Sequence, residues 1–180
     1  DRNADRVYVW NGVPERDAEP MFMLDVQQPG RMSSDGAYLA VAPFAGPSIT
    51  IYRVDELEAS KTPIRLGGPG RFNLPGTCLV AHGCLFVADT GFNRVHVWHC
   101  IADALAGRPA DALLGAIDEF DRSPEIGRDK LFMPGTLAFD GGYLWIGEFK
   151  FSSRLLRFSP EQQTYTRSQM SPRQASNAAG

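Results

Sequence analysis

Apolar residues fall in short runs divided by Gly, Pro, Asn and Asp, and the runs recur in a fixed order. Phe72 to Trp98 gives that order most plainly. Pro75-Gly76 opens a run, His82-Gly83 turns it, and Cys84 to Ala88 forms a second run. Asp89 to Asn93 turns again, and Arg94 to His99 forms a third. Such punctuation predicts a meander of three short strands with a tight reversal at each break. The same openers stand at Pro29-Gly30 and Pro134-Gly135, followed by turns at Asp35-Gly36 and Asp140-Gly141-Gly142. Second runs follow from Ala37 and Tyr143, and third runs from Ser48 and Arg154. Asp1 to Trp10 lies over Asp89 to Trp98 without a gap, so the chain opens partway through a unit, as a processed or partial chain would. The aromatic residue near the close of each third run recurs at Trp10, Tyr52, Trp98 and Phe158, after 42, 46 and 60 residues. Met21 to Leu24, Ile64 to Leu66 and a run near Ala110 are candidate fourth strands.

The runs are apolar on both faces rather than alternating, which suits sheets covered on both sides. Four short strands per unit, repeated every ~40–50 residues, is the arithmetic of a propeller blade. The expected fold is all-β, a β-propeller made of four-stranded antiparallel blades, with about three and a half blades in this chain. A partial blade is expected over residues 1–28 and full blades over 29–70 and 71–130. The second full blade carries an insertion from Ile101 to Lys130, and a last blade follows over 131–160. Residues 161–180 turn polar and small, as a flexible tail would, with Thr164 to Arg167 as a candidate last strand.

The stretch from Leu74 to Trp98, with its Pro75-Gly76 and its LFVADTGFNRVHVW run, resembles the NHL repeat. The GRPADALLG stretch from Gly107, with Phe132-Met133-Pro134-Gly135 after it, resembles the long-blade NHL proteins of bacteria. Glu148 to Arg154 reads as the Asp89 to Arg94 turn made one residue longer. Pro43 to Ser48 is a weaker variant, with Pro43 in place of the Asp and Ser48 in place of the Arg. The resemblance covers residues 1–159 and implies the C-terminal half of a six-bladed ring. The remaining blades would come from N-terminal blades of a parent chain, from a second copy, or from another polypeptide. NHL propellers include zinc-dependent amidating lyases, which take one ligand from a His in a loop like Asp89 to Arg94. Here that position holds Asn93, with Asp5, Pro47 and Ser152/Ser153 as its equivalents, so the resemblance does not carry the lyase site over.

Asp89 and Arg94 end and begin adjacent strands and are expected to pair across the hairpin. Their recurrence as Asp1/Arg6 and Glu148/Arg154 argues for a structural role that every blade needs, with Asn93 tolerating left-handed backbone. Removing Arg94 from a partly buried pair is expected to cost about 1 kcal/mol. The turn tips carry Phe44, Phe92, Phe149, Phe151 and Lys150, and the lead-in segments carry Arg71, Asn73, Lys130 and Met133. Aromatic rings with a few cations, repeated around one end of a ring, suit a binding surface. Arg71 and Lys150 have no packing role legible in the sequence. His82 reads as a turn residue, and Cys78 as a small core residue. Cys84 and His99 should lie opposite one another, but two donors are not a metal site.

Charge narrows the partners. A net charge of −3 over 180 residues leaves no basic footprint, which argues against nucleic acid. No run approaches the ~18 apolar residues of a membrane span. Three cysteines, none in a CxxC spacing, leave the compartment open, with a lean to secreted or periplasmic. No nucleophile elbow, P-loop or dinucleotide fingerprint is present, and Asp118, Glu119 and Asp121 read as a solvated loop. No catalytic residue, metal or cofactor is therefore expected from this chain. The leading reading is a binding or interaction scaffold that meets a protein or small molecule with its loop-bearing face. The alternative is an amidating-lyase-like or lactonase-like propeller whose axial metal is held partly by further blades.

Overall fold

The computed structural model describes residues 1–58, 62–68 and 70–159. The tail and the candidate strand Thr164 to Arg167 lie outside them. β1 (Arg6–Val9) pairs with β2 (Phe22–Asp25). β3 (Pro29–Ser34), β4 (Tyr38–Pro43), β5 (Ser48–Arg53) and β6 (Ile64–Gly67) form a four-stranded antiparallel meander. β7 (Pro75–Ala81), β8 (Cys84–Asp89), β9 (Arg94–Trp98) and β10 (Ala112–Leu114) form a second. Between β9 and β10 stands one helical turn, α1 (Ile101–Leu105). β11 (Pro134–Phe139), β12 (Leu144–Glu148) and β13 (Leu155–Phe158) form a three-stranded sheet. The molecule is thus all-β, built of antiparallel propeller blades: two whole and two partial among the described residues.

The Pro-Gly openers do the same thing in every blade. The proline starts the inner strand opposite the last residue of the second strand, and a bulge follows at the glycine: Pro29/Arg31, Pro75/Thr77 and Pro134/Thr136. A proline donates nothing to a ladder, and a bulge at a strand start tolerates that. The glycine is needed for close approach. A Cβ at Gly76 would stand 3.0 Å from Thr90 Oγ1, and one at Gly135 would stand 2.8 Å from the Phe149 ring. The second-to-third turn therefore folds down onto the opener of its own blade.

Blades pack face to face, and the core is three layers rather than one. Val7, Leu24, Val26, Val41, Tyr52 and Leu57 fill the first interface. Ala40, Ala42, Ile49, Ile51 and Leu66 meet Val80, Leu85, Val87 and Trp98 in the second. Phe86, Ala88, Val95 and Val97 meet Leu144, Ile146 and Phe158 in the third. Burying both sheet faces explains why the runs do not alternate. The repeated aromatic plays one role throughout, since Tyr52, Trp98 and Phe158 each pack against the preceding blade. The inner strands β3, β7 and β11 lie side by side along one edge.

Candidate functional site

The second-to-third turns and the lead-in segments meet at one end of the blades, and hydrogen bonds tie them together. Asp89, fully buried at the end of β8, accepts the main-chain N–H groups of Asn73 and Leu74 at 3.1 and 2.9 Å. Glu148, at the same place in β12, accepts the Phe132 N–H at 2.7 Å. Each carboxylate so anchors the segment that leads into its own inner strand. A second device crosses between blades. Asn93 holds left-handed backbone at φ 57° and its Oδ1 accepts the N–H of Met133 at 3.0 Å. Asp5, at φ 53°, does the same for Gln28 at 2.7 Å.

The Asp89/Arg94 pairing expected from sequence is only half present. The two residues are direct cross-strand partners, yet no ion pair joins them. The short aspartate reaches back to the inner-strand amides. Arg94, 1% exposed, donates instead to the carbonyls of Glu119 and Arg71 at 2.7 and 3.1 Å, and from Nε to His96 Nε2 at 3.2 Å. One more methylene changes the outcome in the last blade. Glu148 meets Arg154 in a fork, Nε to Oε2 and Nη2 to Oε1, both at 2.7 Å. Arg154 also donates to the carbonyls of Gly127 and Lys130, so both arginines pin the 115–130 loop. Asp1 and Arg6 bond through their main chains, and Arg6 turns to Asp25.

Electrostatics follow from burial and partners. Desolvation raises Asp89 above the ordinary carboxylate range despite its amide donors, and it lowers Arg94. Burial pushes Glu148 upward too, but the bonds from Arg154, Ser152 and the Phe132 amide outweigh it and hold the group below its usual value. His96 is pushed down to about 3 by burial, with the Arg94 and Arg71 charges acting in the same direction. It is a neutral acceptor, stacked on Trp98 and edge-on to Phe72.

The tips themselves pair aromatic rings with cations. The Arg2 guanidinium lies 4.1 Å over Phe44, and that of Arg122 lies 4.0 Å over the half-buried Phe92. Lys150 Nζ stands 5.4 Å from the Phe149 ring centre. Phe44, Phe149 and Phe151 are 60%, 41% and 83% exposed. Phe151 meets Phe132 edge-on. Arg71, which has no packing role legible in the sequence, has one here: it donates to the Gly107 and Arg108 carbonyls, both at 3.2 Å, and lies over Trp98. Lys150 sits at φ 64° with its ammonium at the surface. Sequence reading missed Arg2 and Arg122 as partners of the tip rings. Arg122 lies in the insertion, which has no counterpart in the other units to align it with.

His82 holds left-handed backbone in its turn at φ 51°. Cys84 Sγ lies 3.4 Å from the His99 carbonyl oxygen, and His99 Nδ1 faces Asp111 at 3.5 Å. All three cysteines are free thiols, and burial pushes Cys78 up to about 12. Among the described residues no three His, Cys, Asp or Glu side chains converge as a metal requires.

No protein-family model matches the chain, and no curated protein matches it. Among solved structures it is similar to the crystal structure of Myxococcus xanthus glutaminyl cyclase, at 13% identity and a TM-score of 0.47. The match covers 82% of this chain and 55% of that one, so the chain spans about half the length of that structure. A likeness this distant bears on neither activity nor substrate.

Proposed function

We propose that the chain is part of an NHL-type propeller whose loop-bearing end serves as a binding scaffold for a protein or small-molecule ligand. The carrying observation is the repeated pairing of a phenylalanine with a cation at three turn tips: Phe44 with Arg2, Phe92 with Arg122, Phe149 with Lys150. The buried carboxylates and arginines beneath them direct their hydrogen bonds into the fold, which leaves rings and cations as the chemistry offered outward. Among the described residues no sheet covers the far face of the last one, which supports a further blade as neighbour. Thr136, Trp145, Gly147 and Leu155 hold there the places that Thr77, Phe86, Ala88 and Val95 hold on the covered face of the sheet before it.

An aromatic-fragment screen by NMR on the full chain tests the reading. Hits should perturb Phe44, Phe149 and Phe151, and should be lost in the Lys150→Ala, Phe151→Ala double variant. A His82→Asn variant, altered in a turn at the other end of the blade, should retain them. Hits that survive the double variant would contradict the reading. Stoichiometric zinc in the purified protein would instead favour a lyase or hydrolase.

A further inference from the structure

Asn11-Gly12 is the one place in the sequence where an asparagine precedes a glycine. β1 leaves the turn tips at Arg6, so these residues stand at the opposite end of the blade, in the connection to β2. The Met21 N–H donates to the Val9 carbonyl at 2.8 Å, and the Trp10 indole N–H to the Ala18 carbonyl at 2.9 Å. Those bonds close the connection at its base, and every residue from 11 to 19 is exposed.

Nothing holds the two groups that can react there. Among the described residues, neither the Asn11 side-chain amide nor the Gly12 N–H has a hydrogen-bond partner. Gly12 takes left-handed backbone at φ 88°, and the space where a Cβ would stand is open. With no Cβ of its own, glycine leaves its nitrogen open to the preceding side chain. Asn73 and Asn93 differ on this point. The Asn73 amide donates to the Gly91 carbonyl, and Asn93 uses Nδ2 on the Arg122 carbonyl and Oδ1 on the Met133 N–H. The Asp35-Gly36 and Asp140-Gly141 turns differ too, since each carboxylate accepts two main-chain N–H groups of its own turn.

We infer that Asn11-Gly12 is a self-modifying site, at which the native chain turns its own asparagine into aspartate and isoaspartate. The Gly12 nitrogen gives its proton to solvent base and attacks Asn11 Cγ. The new N–Cγ bond closes a five-membered succinimide, the Cγ–Nδ2 bond breaks, and ammonia leaves with a proton taken from water. Water then opens the ring. Cleavage at Cγ gives aspartate, and cleavage at the main-chain carbonyl carbon gives isoaspartate, whose main chain runs through the former side chain. The sum is asparagine plus water giving acid plus ammonia, with no change of oxidation state. The product adds a negative charge beside Glu15, Asp17 and Glu19, where Arg16 is the lone cation of residues 11–19. That exposed stretch accommodates the extra main-chain atom while β1 and β2 keep their ladder. The site is independent of the turn-tip surface, so either can fail without the other.

The test incubates the full chain in mildly alkaline buffer at physiological temperature, beside the same chain unfolded in guanidinium chloride. Trypsin, cutting after Arg6 and Arg16, isolates Asn11 in the Val7 to Arg16 peptide. That peptide should gain a single dalton, split into two chromatographic forms, and take a methyl label from an isoaspartyl-specific methyltransferase. The folded chain should convert at a rate within a few-fold of the unfolded one, and faster as pH rises. Asn11→Gln should abolish the change with the melting temperature kept, because its longer side chain would have to close a six-membered ring. A folded chain whose peptide stays unchanged while the unfolded chain converts would overturn the site. Earlier conversion at Asn73 or Asn93 in the folded chain would overturn it as well.

Discussion

Asn93 Oδ1 accepts the main-chain N–H of Met133 at 3.0 Å, a bond that reaches from the β8–β9 turn of one blade to the residue before the Pro-Gly opener of the next. Asp5 and Gln28 repeat it two boundaries earlier in the chain, at 2.7 Å. At the boundary between them the equivalent turn residue is Pro47, which has no side-chain acceptor; its carbonyl takes the Gly68 N–H within its own blade, beside the Ser48–Gly67 pair. The side-chain staple is thus present at two of the three boundaries.

Asn93→Gly keeps the left-handed backbone and removes the staple, leaving the Met133 amide without its partner. The expected cost is about 1 kcal/mol, read from the denaturation midpoint. Asn93→Ala should cost about a further 1 kcal/mol, because alanine is strained at φ 57°. Equal stability of wild type and the glycine variant would mean the staple contributes nothing.

Glu148 gives the protein an acid sensitivity of defined sign. Its folded pKa lies below the ordinary value of 4.5, so the unfolded chain takes up the proton first. The group therefore stabilises the fold above pH 4.5, and that contribution is lost as pH falls through the folded value. Glu148→Gln should flatten this part of the stability-against-pH curve. An unchanged acid limb in the variant would count against the paired carboxylate.

His96 adds a second limb at higher pH. Its folded value, near 3, lies below the ordinary 6.5, so the unfolded state again binds the proton first. Stability should be complete above pH 6.5 and fall progressively toward pH 3. His96→Gln keeps an acceptor for Arg94 Nε and has no charge to gain. Urea midpoints measured from pH 7 to pH 4 should drop less for the variant than for wild type; parallel curves would contradict the neutral, buried imidazole.

The blades were legible because their causes are local. Pro-Gly openers, two-residue turns and a closing aromatic each act within their own unit, so aligning four stretches of sequence reveals them. What Arg94 and Arg71 touch was not legible, because their partners come from non-repeating sequence. Arg94 reaches Glu119 in the insertion, and Arg71 reaches the Gly107 and Arg108 carbonyls beyond α1. The Asp89/Arg94 pair shows the same limit from the other side. Cross-strand position follows from spacing, but which group the guanidinium finds depends on a loop that alignment cannot place. Arg71→Ala is accordingly expected to lower the denaturation midpoint, since it removes the bonds to the Gly107 and Arg108 carbonyls.

At the loop-bearing end buried polar residues direct their bonds into the fold, and the exposed rings and cations at the tips are the surface proposed to meet a partner. Thermal denaturation of Arg94→Ala beside the Lys150→Ala, Phe151→Ala double variant tests that division most directly. Arg94 is almost fully buried and donates to two carbonyls and to His96, so its loss, which leaves buried acceptors unpaired, should cost about 3 kcal/mol rather than about 1 kcal/mol. That would lower the midpoint by roughly 6–12 °C for a chain of this size, while the double variant melts within a degree or so of wild type. An Arg94→Ala protein as stable as wild type, or a double variant that melts early, would contradict the account.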